Sequence, residues 1–139
     1  LAALEQMPIP AREKLRLHVK GLVKAYMRAP YINRLLHYIM NSGDDARALR
    51  TSELFISPIA EFYRGLIDQG VAEGAFREME PMYLYFMIIG ACDQLVAHRS
   101  ALQHGFGIAE LTEKLGESFG DTLFHMIAMG LAADGQTQD

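Results

Sequence analysis

The sequence predicts an all-α fold, on three observations. Apolar residues recur three and four positions apart through long segments, the period of a helix with one buried face. The breaks between those segments fall at proline, glycine and aspartate, the residues that end helices or turn chains. No stretch alternates apolar and polar side chains with the period of two that a half-buried strand requires. A helical bundle of about five to six helices follows.

Residues 1–6 read as the end of a helix, broken by Met7, Pro8, Ile9 and Pro10, since neither proline donates to a helix ladder. Pro10 suits the first turn of the next helix, Ala11 to Arg28. Its buried stripe is Leu15, Val19, Leu22, Val23, Tyr26 and Met27, with Arg12, Lys14, Arg16, Lys20 and Lys24 mostly on the wet side. Ala29-Pro30 ends that helix and opens a third, Tyr31 to Asn41, with Ile32, Leu35, Leu36, Ile39 and Met40 inward. Ser42 to Asp45 form a turn, and one of its aspartates caps the fourth helix.

That fourth helix is expected to be long, from about Ala46 to Gln69. Pro58 inside it leaves the carbonyl of Leu54 unpartnered and predicts a kink. Gly70 to Pro81 read as a loop, with Gly70 and Gly74 able to take the left-handed conformation. Pro81 opens a fifth helix, apolar nearly all round from Met82 to Ala97, so more than one of its sides must be covered. His104 to Gly107 read as a flexible link, Ile108 to Ala132 as the last helix, and Ala133 to Asp139 as a frayed polar tail.

With 139 residues, half of them hydrophobic and 22% charged, the chain is long enough for one domain with a real core. No apolar run reaches the roughly 18 residues that cross a bilayer, because Asp93 and Gln94 interrupt the best candidate. No signal peptide is visible, and Leu1 in place of a methionine points to a segment of something longer. The one cysteine, Cys92, lies in apolar surroundings and suits a reducing cytoplasm. A formal net charge of −4 without a basic patch argues against direct nucleic-acid binding.

Signatures of covalent chemistry are missing. The sequence contains no Gly-x-Ser-x-Gly elbow, phosphate-binding loop, Gly-x-Gly-x-x-Gly turn or His-Glu-x-x-His pair, so no catalytic residue, metal or cofactor is expected. Cys92 has no visible base partner, and His98 and His104 lack convergent ligands.

The informative place is the middle of the fifth helix, where Asp93 and Gln94 interrupt an apolar run one turn after Gly90. A carboxylate among apolar neighbours must be paired, protonated or hydrated. One reading is a ligand pocket: space at Gly90, polar handles from Asp93, Gln94 and Tyr63, and walls from Tyr26, Met40, Phe62, Phe86 and Met87. The other is helix packing, with Asp93 paired to Arg99 or Arg34 and Gln94 facing water. An enzyme would need His37 or His98 within reach of Asp93 in a closed cleft. In the last helix, Gly116 and Gly120 lie four apart with Gly130 further on, spacing that lets helices approach closely. A dimer face would take in Leu95, Arg99, Leu115, Phe119, Thr122, Leu123, Met126 and Gly130, completing a four-helix interface between two copies. A helical dimer without a cavity is the structural alternative.

The order of these pieces resembles the C-terminal domain of TetR-like transcriptional regulators, and the resemblance covers essentially the whole chain. It is carried by Gly70, Gly74, Phe76, Arg77 and Pro81, which match the Gly…Gly-x-Phe/Leu-Arg…Asp-Pro turn between the seventh and eighth helices of that family. Glu80 stands where aspartate is more usual. The resemblance implies a cytoplasmic homodimer formed through about residues 82–102 and 108–132, and a pocket walled by the helices starting near residues 11, 31, 46 and 82. It implies a small-molecule effector, repressor action, and contact with DNA only through a helix-turn-helix head upstream of Leu1, with no membrane partner.

Overall fold

In the computed structural model, which describes residues 1–134, the chain runs through seven α-helices and two π-helical turns. The helices are α1 Ala2–Glu5, α2 Ala11–Arg28, α3 Pro30–Met40, α4 Asp45–Thr51, α5 Ser57–Ala72, α6 Pro81–Ala97 and α7 Glu113–Leu131. The π-helical turns are Ser52–Ile56 and Ala101–Gly105. The all-α fold class is as expected, and no strand occurs among the described residues beyond an isolated bridge between Phe76 and Ala132.

Helix α2 is the centre of the bundle and packs on α5, α6 and α7. Its first turn has N–H groups without helical partners. That of Ala11 donates to Glu73 Oε2 at 3.0 Å, and a carboxylate is the favoured charge at a helix start. Leu15, Val19 and Val23 go into the core, where Tyr63, Leu84, Ile88, Cys92 and Leu131 meet them. Lys14 is buried too, its ammonium donating to the carbonyl of Glu5 at the end of α1, 2.6 Å away.

Gly116 and Gly120 do bring two helices close together, but the helix they admit is α2 of the same chain. A Cβ on Gly116 would run into Met27, and one on Gly120 would touch Val23 and Lys20. Lys20 closes the seam on Asp121 at 2.8 Å. These glycines therefore serve the fold of one protomer.

The single long fourth helix expected from Ala46 to Gln69 is two helices of different register. Asp44 caps α4, accepting the N–H of Arg47 at 3.0 Å, and the chain then widens into the first π-helical turn. There the N–H of Ser57 reaches the carbonyl of Ser52, five residues back. Pro58 follows immediately, so the break expected at the proline is realised as a π bulge just before it.

Helix α5 continues past Gly70 to Ala72, so Gly70 is no cap. Its missing side chain makes room for the Phe76 ring, and its carbonyl accepts from both Ala75 and Phe76. Gly74, at φ 70°, makes the left-handed turn. The end of α7 is tied to this joint: Arg77 donates its N–H to Leu131 O at 2.8 Å and its Nε to Gly130 O at 2.6 Å. Ala133 donates to Ala75 O, which pins the start of the expected frayed tail; residues 135–139 of that tail lie outside the described residues.

Helix α7 starts at Glu113, not Ile108, because Thr112 caps it through the N–H of Leu115. His104 lies in the second π-helical turn, and the left-handed Gly107 follows. Among the described residues no helix is long and apolar enough to cross a membrane.

Candidate functional site

Helix α3 crosses above α6 without burying any residue of its own completely. The two helices hold facing stripes with the same spacing: Asn33, Leu36, His37 and Met40 on α3, and Met82, Tyr85, Phe86 and Ile89 on α6. The steps of three and four place each set on one helix face. Between the stripes lies a cavity of about 490 Å³. Tyr26 of α2 contributes to its wall, and Thr51, Phe55, Ile56, Ala60 and Arg64 wall another side along the end of α4, the π bulge and α5. Most of the wall is apolar or aromatic, and the volume is in the range that small ligands occupy.

A polar cluster stands beside this wall. Asn33 Nδ2 donates to Asp93 Oδ1 at 2.6 Å, and His37 Nε2 lies 3.3 Å from Oδ2 of the same carboxylate. The Asp93 side chain is 16% exposed, whereas that of His37 is 66% exposed. Burial pushes the Tyr26 phenol up to about 12, and the polar Asn33 side chain nearby offsets part of that rise. Arg64, elsewhere on the wall, is paired with Glu61 at 2.7 Å.

The family described as Tetracyclin repressor-like, C-terminal domain, matches residues 8–136. The chain belongs to this TetR-like family. No curated protein matches it. The residues that carried the resemblance form one joint of the TetR-like domain: Gly70 seats Phe76, Gly74 turns the chain, Arg77 ties down α7, and Pro81 opens α6.

Of the side chains expected around a pocket in this TetR-like domain, Tyr26, Met40 and Phe86 line the cavity. Phe62 and Tyr63 do not. They are 2% and 0% exposed in the core, where α2 packs on α5 and His18 meets both rings, so their aromatic surface is already used. Met87, Gly90, Asp93 and Gln94 are also off the wall, Asp93 standing behind it. A Cβ on Gly90 would meet nothing within 4 Å, so the space beside it is open, and the cavity lies against Tyr85 and Ile89 instead. Asp93 is held by Asn33 and His37, not by Arg99 or Arg34. His37 meets the distance that the enzyme alternative required, but its exposure leaves the pair in an open setting.

Sequence reasoning missed Asn33, Leu36, Tyr85 and Ile89. The available signal was the matching period of polar and apolar positions on the third and fifth helices. On the surface expected to bind a second copy, Leu95, Phe119 and Leu123 are partly buried against their own core. Leu115 is half-buried, while Arg99, Thr122, Met126 and Gly130 are exposed. Met129, not among the expected residues, is 66% exposed beside them.

Proposed function

We propose that this TetR-like domain is the effector-binding and dimerisation part of a transcriptional repressor, and that its effector is a small apolar or amphipathic molecule held between α3 and α6. The observation that carries this reading is the cavity of about 490 Å³, apolar over most of its wall and with a hydrogen-bonded polar cluster beside it. The wall draws on α2, α3, α4, α5, α6 and the π bulge, so an occupant bridges elements brought together by tertiary packing. Binding shifts the equilibrium between DNA-competent and released dimers to the extent that its affinity for the two differs.

The test is thermal unfolding against a panel of small apolar and amphipathic compounds, with Ile89→Trp as a variant whose indole projects into the cavity and obstructs an occupant. A true effector raises the melting temperature with dose, by the equivalent of about 2.7 kcal/mol at a hundredfold excess over its Kd. The Ile89→Trp chain folds and gives no such rise. A panel without dose-dependent stabilisation, or one that stabilises both proteins equally, overturns the reading in favour of a dimerisation module without a ligand.

A further inference from the structure

The charges around the cavity are lopsided. Arg64 is the one lysine or arginine in its wall among the described residues, and it is committed to Glu61. Glu80 lies on the wall as well, and Asp93 stands behind Asn33 and His37, without a lysine or arginine within ion-pair distance among the described residues. Its one potentially cationic neighbour, His37, is charged only if protonated and is the most easily displaced of its partners, being two-thirds exposed. A carboxylate shielded from most solvent attracts a nearby cation more strongly than one in bulk water. Aromatic rings from Tyr26, Tyr85 and Phe86 stand in the same wall, and ring faces attract cations as well. An anionic head group would find a paired arginine and two carboxylates.

Building on the effector-site reading above, we propose that the cavity takes an amphipathic organic cation. Its apolar body lies between α3 and α6, and its ammonium group rests against the Asp93 carboxylate in the place of the His37 ring. Asn33 keeps its hydrogen bond to the other carboxylate oxygen and holds Asp93 in position. Specificity then comes from the Asp93 carboxylate just behind the apolar wall, with Glu80 adding negative charge on the wall itself, an arrangement that rewards a cation and repels an anion of equal size.

Three compounds with one apolar body test this by calorimetry on the full chain. They are 2-naphthylmethyl-trimethylammonium, its uncharged tert-butyl isostere, and 2-naphthylmethanesulfonate. The ammonium compound is expected to bind at least ~tenfold tighter than either of the others. Asp93→Asn removes that preference and leaves affinity for the neutral isostere within about twofold. Equal affinities in the unaltered protein, a preference for the sulfonate, or a cation preference that survives Asp93→Asn overturns the cationic class while leaving the effector site standing. Should Asp93→Asn fail to fold, the ranking in the unaltered protein decides. If none of the three binds, or all bind Ile89→Trp undiminished, the effector site itself is refuted and this proposal with it.

Discussion

His18 on α2 and Tyr63 on α5 share a hydrogen bond in the interior, 3.0 Å from Nε2 to the hydroxyl oxygen. Both side chains are shielded from solvent, and the imidazole also lies 4.6 Å, centroid to centroid, from the Phe62 ring. The bond satisfies two polar groups in an otherwise apolar seam. Burial keeps both neutral, because it lowers the basicity of the imidazole and raises the phenol above its ordinary value.

Acid should therefore loosen the fold through His18. Burial brings its pKa down to about 4. In the unfolded chain an ordinary histidine titrates near pH 6.5. Between these values the unfolded state binds more protons, so stability rises with pH across the window. The contribution is fully present above about pH 6.5 and is lost as the pH falls towards 4, a change of about 3 kcal/mol. Urea unfolding at pH 7.5, 6 and 5 measures it, and His18→Phe should flatten the dependence. A midpoint that does not move between pH 7.5 and 5 contradicts this account.

Removing one atom from the pair tests its worth. Tyr63→Phe keeps the ring and deletes the hydroxyl, leaving His18 Nε2 buried without a partner. A loss of about 1–3 kcal/mol is expected, because an orphaned buried polar group forfeits its hydration as well as its bond. In the double variant with His18→Phe the loss should be smaller than the sum of the two single losses. Additive losses would show that the two groups do not depend on each other.

Much of the architecture was legible because its punctuation is local. The second helix runs Ala11–Arg28 as expected, bounded by Pro10 and by Ala29-Pro30, and Asp44 caps α4 as its turn suggested. The boundaries that failed depended on partners far along the chain. Gly70 looks like a helix stop until Phe76 is seen filling its empty side, and Ile108 looks helical until Thr112 caps a later start. The site was harder still. Phe62 and Tyr63 carry the same aromatic signal as Phe55, and only the packing of α2 on α5 decides that two of the three are core. The partner of Asp93 is Asn33, on a helix that hydrophobic periodicity describes without marking its polar positions.

Two glycines should respond to alanine with opposite signs. At Gly70 the added methyl collides with the Phe76 ring, itself only 4% exposed and unable to swing clear. Gly70→Ala is expected to destabilise by about 1–3 kcal/mol. At Gly90 the methyl enters open space within α6, and a better helix former should stabilise by up to about 1 kcal/mol. Melting temperatures of the two variants, compared with the parent, decide the matter. A fall for Gly90→Ala would mean that another surface occupies the space beside it.

The face of α7 turned away from α2 makes a prediction about assembly. Leu115, Phe119, Thr122, Met126 and Met129 succeed one another in steps of four and three along one side of the helix, the spacing of a seam between helices. Leu115 and Phe119 are half-buried, whereas Met126 and Met129 are 68% and 66% exposed. The two methionines therefore contribute little to their own protomer and have most to gain from a second copy. If the dimer of the proposed function forms through this face, Met126→Glu with Met129→Glu brings carboxylates together across it and weakens association at least ~tenfold. Light scattering over a concentration series should then show a monomer where the parent is a dimer. The variant should still unfold cooperatively, because neither side chain belongs to the protomer's buried core. An unchanged dimer mass would move the interface off this stripe, while loss of cooperative unfolding would mean that the methionines support the protomer itself.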